Sequence, residues 1–395
     1  MAFLWLTRFP PYPPLRGGAY DYSRDMLHSL ADVGPVHGLA YDCPEVRIPE
    51  TSPVEWTTLP LPNRPRAASV ASRLPNVAYR HFDRAYLDQA LDMSPRAEAV
   101  YVDFIAMAWL VVPLRARLAQ VAAPPPVIMI THNHEYAVRR QMIKAARSPL
   151  LSAAVALDAW KAGRLERTAN AAADGLTAIT KCDQATFGSE VNTTCIVVPP
   201  AYGGPVTAQR RIDADTPEVI TLLGNRNAQH KTMVLARTLK ALAARQLDKA
   251  ARIEVAGAGD LTSFAQRYPG FKYIGYVEDL QRYLSGVRLA LLTDDIGGGF
   301  KLRAMAYSFL RVPMLALDAA MAGMDFEEGV HFVGAGTLEE LADKARMLIR
   351  DLPRLNALQE AAFEYAATRF DPAVPGKLLS GFAATLRRQR PESAA

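Results

Sequence analysis

Short apolar runs alternate with amphipathic stretches along nearly the whole chain. In the first half, "FLWLT" (3–7), "VHGLAYD" (36–42) and "EWTTLPL" (55–61) read as strands. So do "AVYVDF" (99–104), "VIMIT" (127–131), "GLTAIT" (175–180) and "TCIVVP" (194–199). The runs at 99–104 and 127–131 are short and rich in β-branched residues, as strands covered on both faces tend to be. Between them, 19–33 has the spacing of an amphipathic helix, and a longer helical region runs from about 133 to 173 with a break at Pro149.

Residues 199–216, "PPAYGGPVTAQRRIDADT", carry no periodicity and are rich in Pro, Gly and polar residues, so they read as a linker. The alternation then restarts. Strands are expected at 218–224, 252–257, 271–277, 288–293, 312–317 and 331–335, with helices at 231–245, 278–285, after 300 and at 337–350. A helical tail covers about 354–388. Strands alternating with helices imply right-handed crossovers and a parallel sheet, here twice over. The expected fold is therefore α/β, with two tandem doubly wound, Rossmann-like domains. Such domains bind ligands at the carboxyl ends of their strands. If those ends face each other, they frame a central cleft for two substrates. The domain boundaries read as 1–200, a linker at 201–216, 217–357, and a terminal segment at 358–395 that returns to the first domain.

Composition narrows the classes. The chain has 395 residues and a net charge of +5, a surplus spread over both halves rather than gathered in a tail; this argues against nucleic acid as a partner. Three scattered cysteines offer neither a disulfide framework nor metal-ligand spacing. The start "MAFLWLTRFP" lacks the form of a signal peptide, and the longest apolar run, "FIAMAWLVVPL" (104–114), falls short of the roughly 20 residues a spanning helix needs. A cytoplasmic location is expected. One helical face, Arg140, Lys144 and Arg147, reads either as a contact with anionic lipid or an anionic acceptor, or as an ordinary solvated surface. Peripheral contact at the inner face of a membrane therefore stays open.

The chemistry gathers at "GGGFKLRAMAYSFLRVP" (297–313). A helix N-terminus presents unpaired amide donors. Gly297, Gly298 and Gly299 leave that backbone bare, and Phe300, Lys301 and Arg303 follow at the helix start. Cations in a first turn oppose the helix dipole, an arrangement that an anion among them would relieve. The alternative is a flexible loop with two solvated cations. Leu302, Met305, Ala306, Phe309 and Leu310 have the spacing of one buried face. Asp294 and Asp295 end a strand and read as loop or capping residues rather than metal ligands; no metal is expected.

This stretch resembles the family 4 retaining glycosyltransferases of the glycosyltransferase B fold. So do "PPYPPLRGGAYDYSRDMLHSLA", "THNHEY", "GRLERTANAAADGLTAITKCDQATF", "IEVAGAGD" and "YIGYVEDLQRYLSGVRLALL", in order, over about residues 5–371. The resemblance implies a metal-independent glycosyltransferase without a bound cofactor. Its co-substrate would be a nucleotide-sugar such as a UDP- or GDP-sugar, and its acceptor a glycan, a lipid-linked compound or a small molecule. The first domain would bind the acceptor and the second the donor. Transfer would retain anomeric configuration with no obvious protein nucleophile.

By position in those motifs, His132 and Glu135 fall beside the reaction, with His134 the weaker histidine. Gly17, Gly18, Gly224, Arg226, Lys231, Tyr276, Val277 and Gly297–Gly299 with Phe300, Lys301 and Arg303 fall around the donor. Gly17 and Gly18 also read as a tight turn, Gly257 and Gly259 in "AGAG" and the "GYV" at 275–277 as either nucleotide-base segments or turn and strand-packing residues, and Arg226 and Lys231 also as solvated cations. The chain departs from the family at two places. Ala306 stands where a ribose-binding glutamate is usual, and Arg311 where a glycine is usual. These departures leave room for two rivals, a non-catalytic partner or scaffold of the same fold and a nucleotide-sugar epimerase.

Overall fold

The computed structural model describes residues 2–15, 18–144, 148–227, 229–294 and 300–389. The chain forms two compact units, Met1–Ala201 with Pro372–Ala395, and Tyr202–Asp371. Each is built on a parallel sheet, and each is an α/β Rossmann-like unit.

In the first unit the strands are β1 (Phe3–Leu6), β2 (Val36–Tyr41), β3 (Val54–Leu59), β4 (Val100–Asp103), β5 (Val127–Ile130), β6 (Gly175–Ala178) and β7 (Cys195–Val197). Their order across the sheet is β3-β2-β1-β4-β5-β6-β7. Alternate residues of β1 point to opposite faces, and both faces are covered. Leu4 and Leu6 join Val100, Val102, Leu110, Leu114 and Phe187 on one side. Phe3 and Trp5 join Tyr101, Ile128, Leu379 and Phe382 on the other.

The second unit holds β8 (Val219–Leu223), β9 (Arg252–Ala256), β10 (Lys272–Gly275), β11 (Leu289–Leu292), β12 (Met314–Leu317) and β13 (Val333–Ala335). Their order is β10-β9-β8-β11-β12-β13. In both sheets the winding reverses beside the first strand, between β1 and β4 and between β8 and β11. Such switch points leave a crevice at the strands' carboxyl ends.

The break at Pro149 separates the helix Glu135–Lys144 from the helix Pro149–Ala172. Proline suits the first turn, and Ser148 caps it by accepting a hydrogen bond from the Leu151 N–H. Three α-helices of the first unit longer than one turn, Arg84–Met93, Val111–Leu118 and Lys181–Glu190, went unread in the sequence.

The boundaries differ from those read in the sequence. The stretch taken as a linker packs onto the second unit: Ile212 is in its core, and the Tyr202 ring stacks on Phe309 at 4.3 Å. The helix Leu352–Arg369 also lies within that unit, so the chain returns at residue 372 rather than 358. The last helix, Ala373–Arg388, then packs along Gly18–Ala31. A side chain at Gly376 would place its Cβ 1.8 Å from the Ser29 carbonyl oxygen, so only glycine allows that approach.

Candidate functional site

At the switch point of the first sheet, Asp103 ends β4 with its side chain buried. Thr7 Oγ1, just past β1, and Ser23 Oγ, on the first helix, each donate to its Oδ2 at 2.8 Å. His132 Nε2, just past β5, lies 2.7 Å from its Oδ1. Burial alone would raise the Asp103 pKa, but His132 and the two hydroxyls outweigh it and hold the carboxyl below its usual range. An ionised carboxylate only accepts, so His132 Nε2 carries the proton. In the neutral ring Nδ1 is then an acceptor. It is buried and has no partner among the described residues. Tyr22 and Phe104 meet the imidazole edge-on, with centroids at 5.1 and 5.0 Å. The Arg8 guanidinium lies over the rings of Tyr20 and Phe104 at 4.5 and 4.8 Å.

The geometry sets the two neighbouring histidines apart. His134 uses both nitrogens: Nε2 lies 3.0 Å from Glu190, and Nδ1 accepts from the Ala137 N–H at 3.2 Å. Glu135 is also occupied. Its carboxylate is bound by Arg139 one turn on, which also reaches Asp158 at 3.2 Å. Glu166 accepts from the Glu135 and Tyr136 N–H groups at 2.9 and 3.3 Å and so caps this helix. Of the two residues expected beside the reaction, His132 thus keeps a free ring nitrogen, whereas Glu135 braces the start of its helix.

The second sheet builds a different site at the matching place. Arg226 follows β8, Lys231 opens the next helix, Asp294 follows β11, and Arg303 lies in the helix Leu302–Phe309. Arg303 bonds both the Leu223 carbonyl and Asp294. Arg226 is buried, and its Nε has no partner among the described residues. Burial, reinforced by repulsion from Arg303, lowers its pKa to about 10. The same two causes lower Lys231. Burial would raise Asp294, but Arg303 and Arg226 outweigh it and keep the carboxyl below its usual range. Among these described groups three cations share one carboxylate. Like charges held out of water repel one another, and a doubly charged anion would relieve them.

Glycine makes this loop assembly possible. Gly257 has φ +122°, and an added Cβ would lie 2.0 Å from the Gly224 carbonyl oxygen. Gly259, at φ +133°, meets the Arg226 side chain in the same way. Gly224 N and Arg226 N donate to the carbonyls of Ala256 and Ala258 at 2.9 and 2.7 Å. Gly257 and Gly259 therefore serve close packing, and that packing aims Arg226.

Of the other expected donor residues, Gly18 begins the first helix, Tyr276 is exposed and Val277 half-buried. Phe300 packs edge-on against Phe370 at 5.3 Å, and Lys301 is the N-cap residue of the helix that follows. Gly17, Asp295 and Gly297–Gly299 lie outside the described residues, as does Arg147.

The helix Leu302–Phe309 is buried on more sides than its spacing implied. Ala304 and Tyr307 join the main core, Met305 and Phe309 join a separate cluster with Ala366 and Phe370, and Leu302 and Ala306 are half-buried.

Arg311 explains its own exception. It has φ +53°, the left-handed region that favours glycine. Its N–H and that of Val312 donate to Ser308 and Tyr307 carbonyls, closing the helix end. The side chain compensates for the backbone: Nε donates to Thr207 O at 3.0 Å, Nη1 to Gln359 at 3.1 Å, and the guanidinium stacks 3.8 Å over Phe363. This arginine ties the segment after Tyr202 to the helix Leu352–Arg369.

Sequence reasoning missed Asp103, Thr7 and Ser23 and left Asp294 as a loop residue. A signal for Asp103 was present, since it is the one acid in the apolar run "AVYVDF" and stands at its carboxyl end. Among the described residues, no group of three or more His, Cys, Asp or Glu side chains is placed to hold a metal ion.

Residues 217–351, most of the second unit, match the family model for glycosyl transferases group 1. The whole chain has the glycosyltransferase B type of fold. It matches a sucrose-phosphate synthase from Thermosynechococcus elongatus with a TM-score of 0.73 at 14% identity, covering 99% of this chain and 100% of that one. The Anabaena HepE protein, solved in complex with UDP-glucose, matches with a TM-score of 0.65 at 15% identity, over 98% and 100%. An α,α-trehalose 6-phosphate synthase from Burkholderia multivorans matches with a TM-score of 0.61 at 12% identity, over 98% and 99%. A sequence search of curated proteins finds no match.

Proposed function

We propose that this chain is a family 4, retaining glycosyltransferase that uses a nucleotide-sugar donor, of the UDP- or GDP-sugar kind, and needs no metal. The observation that carries the reading is the surplus, among the described residues, of the cations Arg226, Lys231 and Arg303 over the one acid Asp294 at the switch point of the second sheet. The match of this unit to glycosyl transferases group 1, and the UDP-glucose complex of the HepE relative, support a nucleotide diphosphate as the anion.

In this reading the bond from the anomeric carbon to the diphosphate oxygen breaks. The acceptor hydroxyl oxygen bonds that carbon on the same face, and its proton passes to the leaving diphosphate. The three cations stabilise the charge that grows on the leaving group. His132, oriented by Asp103, accepts a hydrogen bond from a sugar hydroxyl at Nδ1 and so positions the reactants. The first unit takes the acceptor, and peripheral contact with a membrane is part of the proposal only where that acceptor is lipid-linked.

Thermal stabilisation across a panel of nucleotide-sugars tests the donor. A ligand at 100 times its Kd adds about 2.7 kcal/mol of stability. Absence of any stabilisation, together with no release of nucleoside diphosphate, would overturn the reading. One observation favours a second reading, a non-catalytic protein of the same fold: the half-buried Ala306 offers no side-chain acceptor for a ribose. Nucleotide binding without turnover on any acceptor is the outcome that reading expects.

A further inference from the structure

The first unit contains a second hollow that the proposed transfer does not use. After β3 the chain runs through residues 60–82 and folds over the start of the helix Val111–Leu118 and the last two turns of Pro149–Ala172. Together they enclose a volume of about 420 Å³, within the range typical of small-molecule sites. Leu74, Tyr79, Phe82, Trp109 and Val112 form apolar walls, and Arg64 is the one charged residue among those described as lining it.

The walls are fixed before any ligand arrives. Lys161, itself buried, donates to the Ser69 and Val70 carbonyls at 2.9 and 2.8 Å. Asp158 accepts from the Asn76 N–H at 2.6 Å. These two residues of one helix clamp the 69–76 segment down. Trp109 is held by Phe82 and Tyr86, with centroids at 4.9 and 6.3 Å. The Tyr86 hydroxyl is itself tied to the Leu39 and Thr7 carbonyls. A site held open in this way loses little freedom on binding.

Arg64 is placed unusually. Its guanidinium sits over the rings of Tyr79 and Phe82, at 5.2 and 5.4 Å. It has no carboxylate or hydrogen-bond partner among the described residues, and its Nε is buried unpaired. A structural arginine normally finds an acid or a run of carbonyls, as Arg288 and Arg311 do in the second unit. At the rim, Phe82 is 38% and Val112 47% exposed, so apolar surface is left in water beside the unpaired cation.

We propose that this hollow binds a small amphipathic anion. Its apolar chain or ring would lie between Trp109, Phe82 and Val112, and its phosphate or carboxylate end would meet Arg64. The proposal does not rest on sugar transfer and survives if that reading fails. The ligand's charge answers the unpaired cation, and its apolar body covers the exposed rim; neither a bare anion nor a neutral hydrocarbon does both.

Isothermal titration of the full chain with octyl phosphate, octanol and inorganic phosphate tests it. Octyl phosphate is expected to bind, with octanol and inorganic phosphate each at least roughly tenfold weaker. Arg64→Ala is expected to weaken octyl phosphate by tenfold or more. Val112→Trp, at an exposed rim position, is expected to block the hollow while leaving Arg64 in place. Arg226→Ala is expected to leave octyl phosphate binding unchanged, which separates this site from the nucleotide site. Equal affinity for octanol, indifference to Arg64→Ala and Val112→Trp, or loss on Arg226→Ala would each overturn the proposal.

Sedimentation with phosphatidylcholine vesicles containing phosphatidate distinguishes the source. Vesicle binding that Arg64→Ala removes places the anion in a bilayer. Octyl phosphate binding that needs Arg64, without vesicle binding, places it in solution. Both outcomes support the site.

Discussion

The two sheets reverse their winding at equivalent places, yet they treat charge there in opposite ways. At the end of β4 every donor around Asp103 is matched to the carboxylate, and the cluster is nearly complete without a ligand. At the end of β8, among the described residues, three cations share one acid, and burial works against all three, outweighed only at Arg303, chiefly by Asp294. The first arrangement favours a fixed geometry and leaves one ring nitrogen for a substrate. The second holds repulsion that a bound anion would relieve. One topology therefore supports a site that contributes to stability and a site kept at a cost in stability.

Substitutions should separate these two characters. The largest effect is expected from Asp103→Ala, which strands three buried donors. Chemical denaturation should show the first unit destabilised by about 3–5 kcal/mol, the range for breaking a buried pair, with nucleotide binding to the second unit retained. Equal loss in both units would break the comparison.

Arg226→Ala should behave in the reverse way. Nucleotide affinity should fall roughly 10- to 100-fold, since a charge-assisted hydrogen bond contributes about 1.5–3 kcal/mol. The unfolding midpoint should hold or rise, because a buried, repelled cation has been removed. A lower midpoint with intact binding would reverse the assignment.

Arg311→Gly tests which side of a trade prevails within the second unit. Glycine would relieve about 1–2 kcal/mol of left-handed backbone cost. It would lose the bonds to Thr207 and Gln359 and the stack on Phe363, worth more together. Glu360 is half exposed, so that ion pair counts for little. A net loss of about 1–2 kcal/mol is expected, read from the urea midpoint, with nucleotide affinity unchanged.

The last effect concerns pH. Burial pushes Glu166 up to about 7, above its ordinary value of 4.5. A carboxyl raised on folding stabilises fully below the unfolded value, and that contribution is lost as pH rises through the folded one. The first unit should therefore weaken between about pH 4.5 and 7, by at most about 1.4 kcal/mol per pH unit for one proton. Glu166→Gln should flatten the profile. Asp103 acts in the opposite direction: its contribution is present above the ordinary carboxyl range and lost as pH falls through its lowered folded value.

Much of the fold could be read from local pattern. Runs such as "VIMIT" and "RLALLT" need no partner to announce a covered strand, and Pro149 announced the helix break. The helix Arg84–Met93 was hidden because its buried face is small, essentially Tyr86 and Ala90, although Asp83 stood as a capping signal. The boundary at Arg369 had a signal in Pro372 and Pro375, which end one helix and open the next, whereas nothing at 358, where the reading placed it, interrupts the helical pattern. His132 was legible from its place after a strand; Asp103 pairs with it across 29 positions, which no local pattern reports. Arg226 could be named, but its burial depends on Gly257 and Gly259 in another loop. Arg64 has no motif at all. Its interest comes from what the fold leaves beside it.

The last helix has a consequence for how the protein is made. Leu379, Phe382 and Leu386 complete the layer that covers Trp5 and Tyr101, but they emerge from the ribosome only after the whole of Tyr202–Asp371. At about 5–20 residues per second that delay is roughly ten to thirty seconds. During it the nascent first unit carries an uncovered apolar face beside the helix Gly18–Ala31, while the second unit already has all of its own sequence. The half of the chain made first is thus the half finished last.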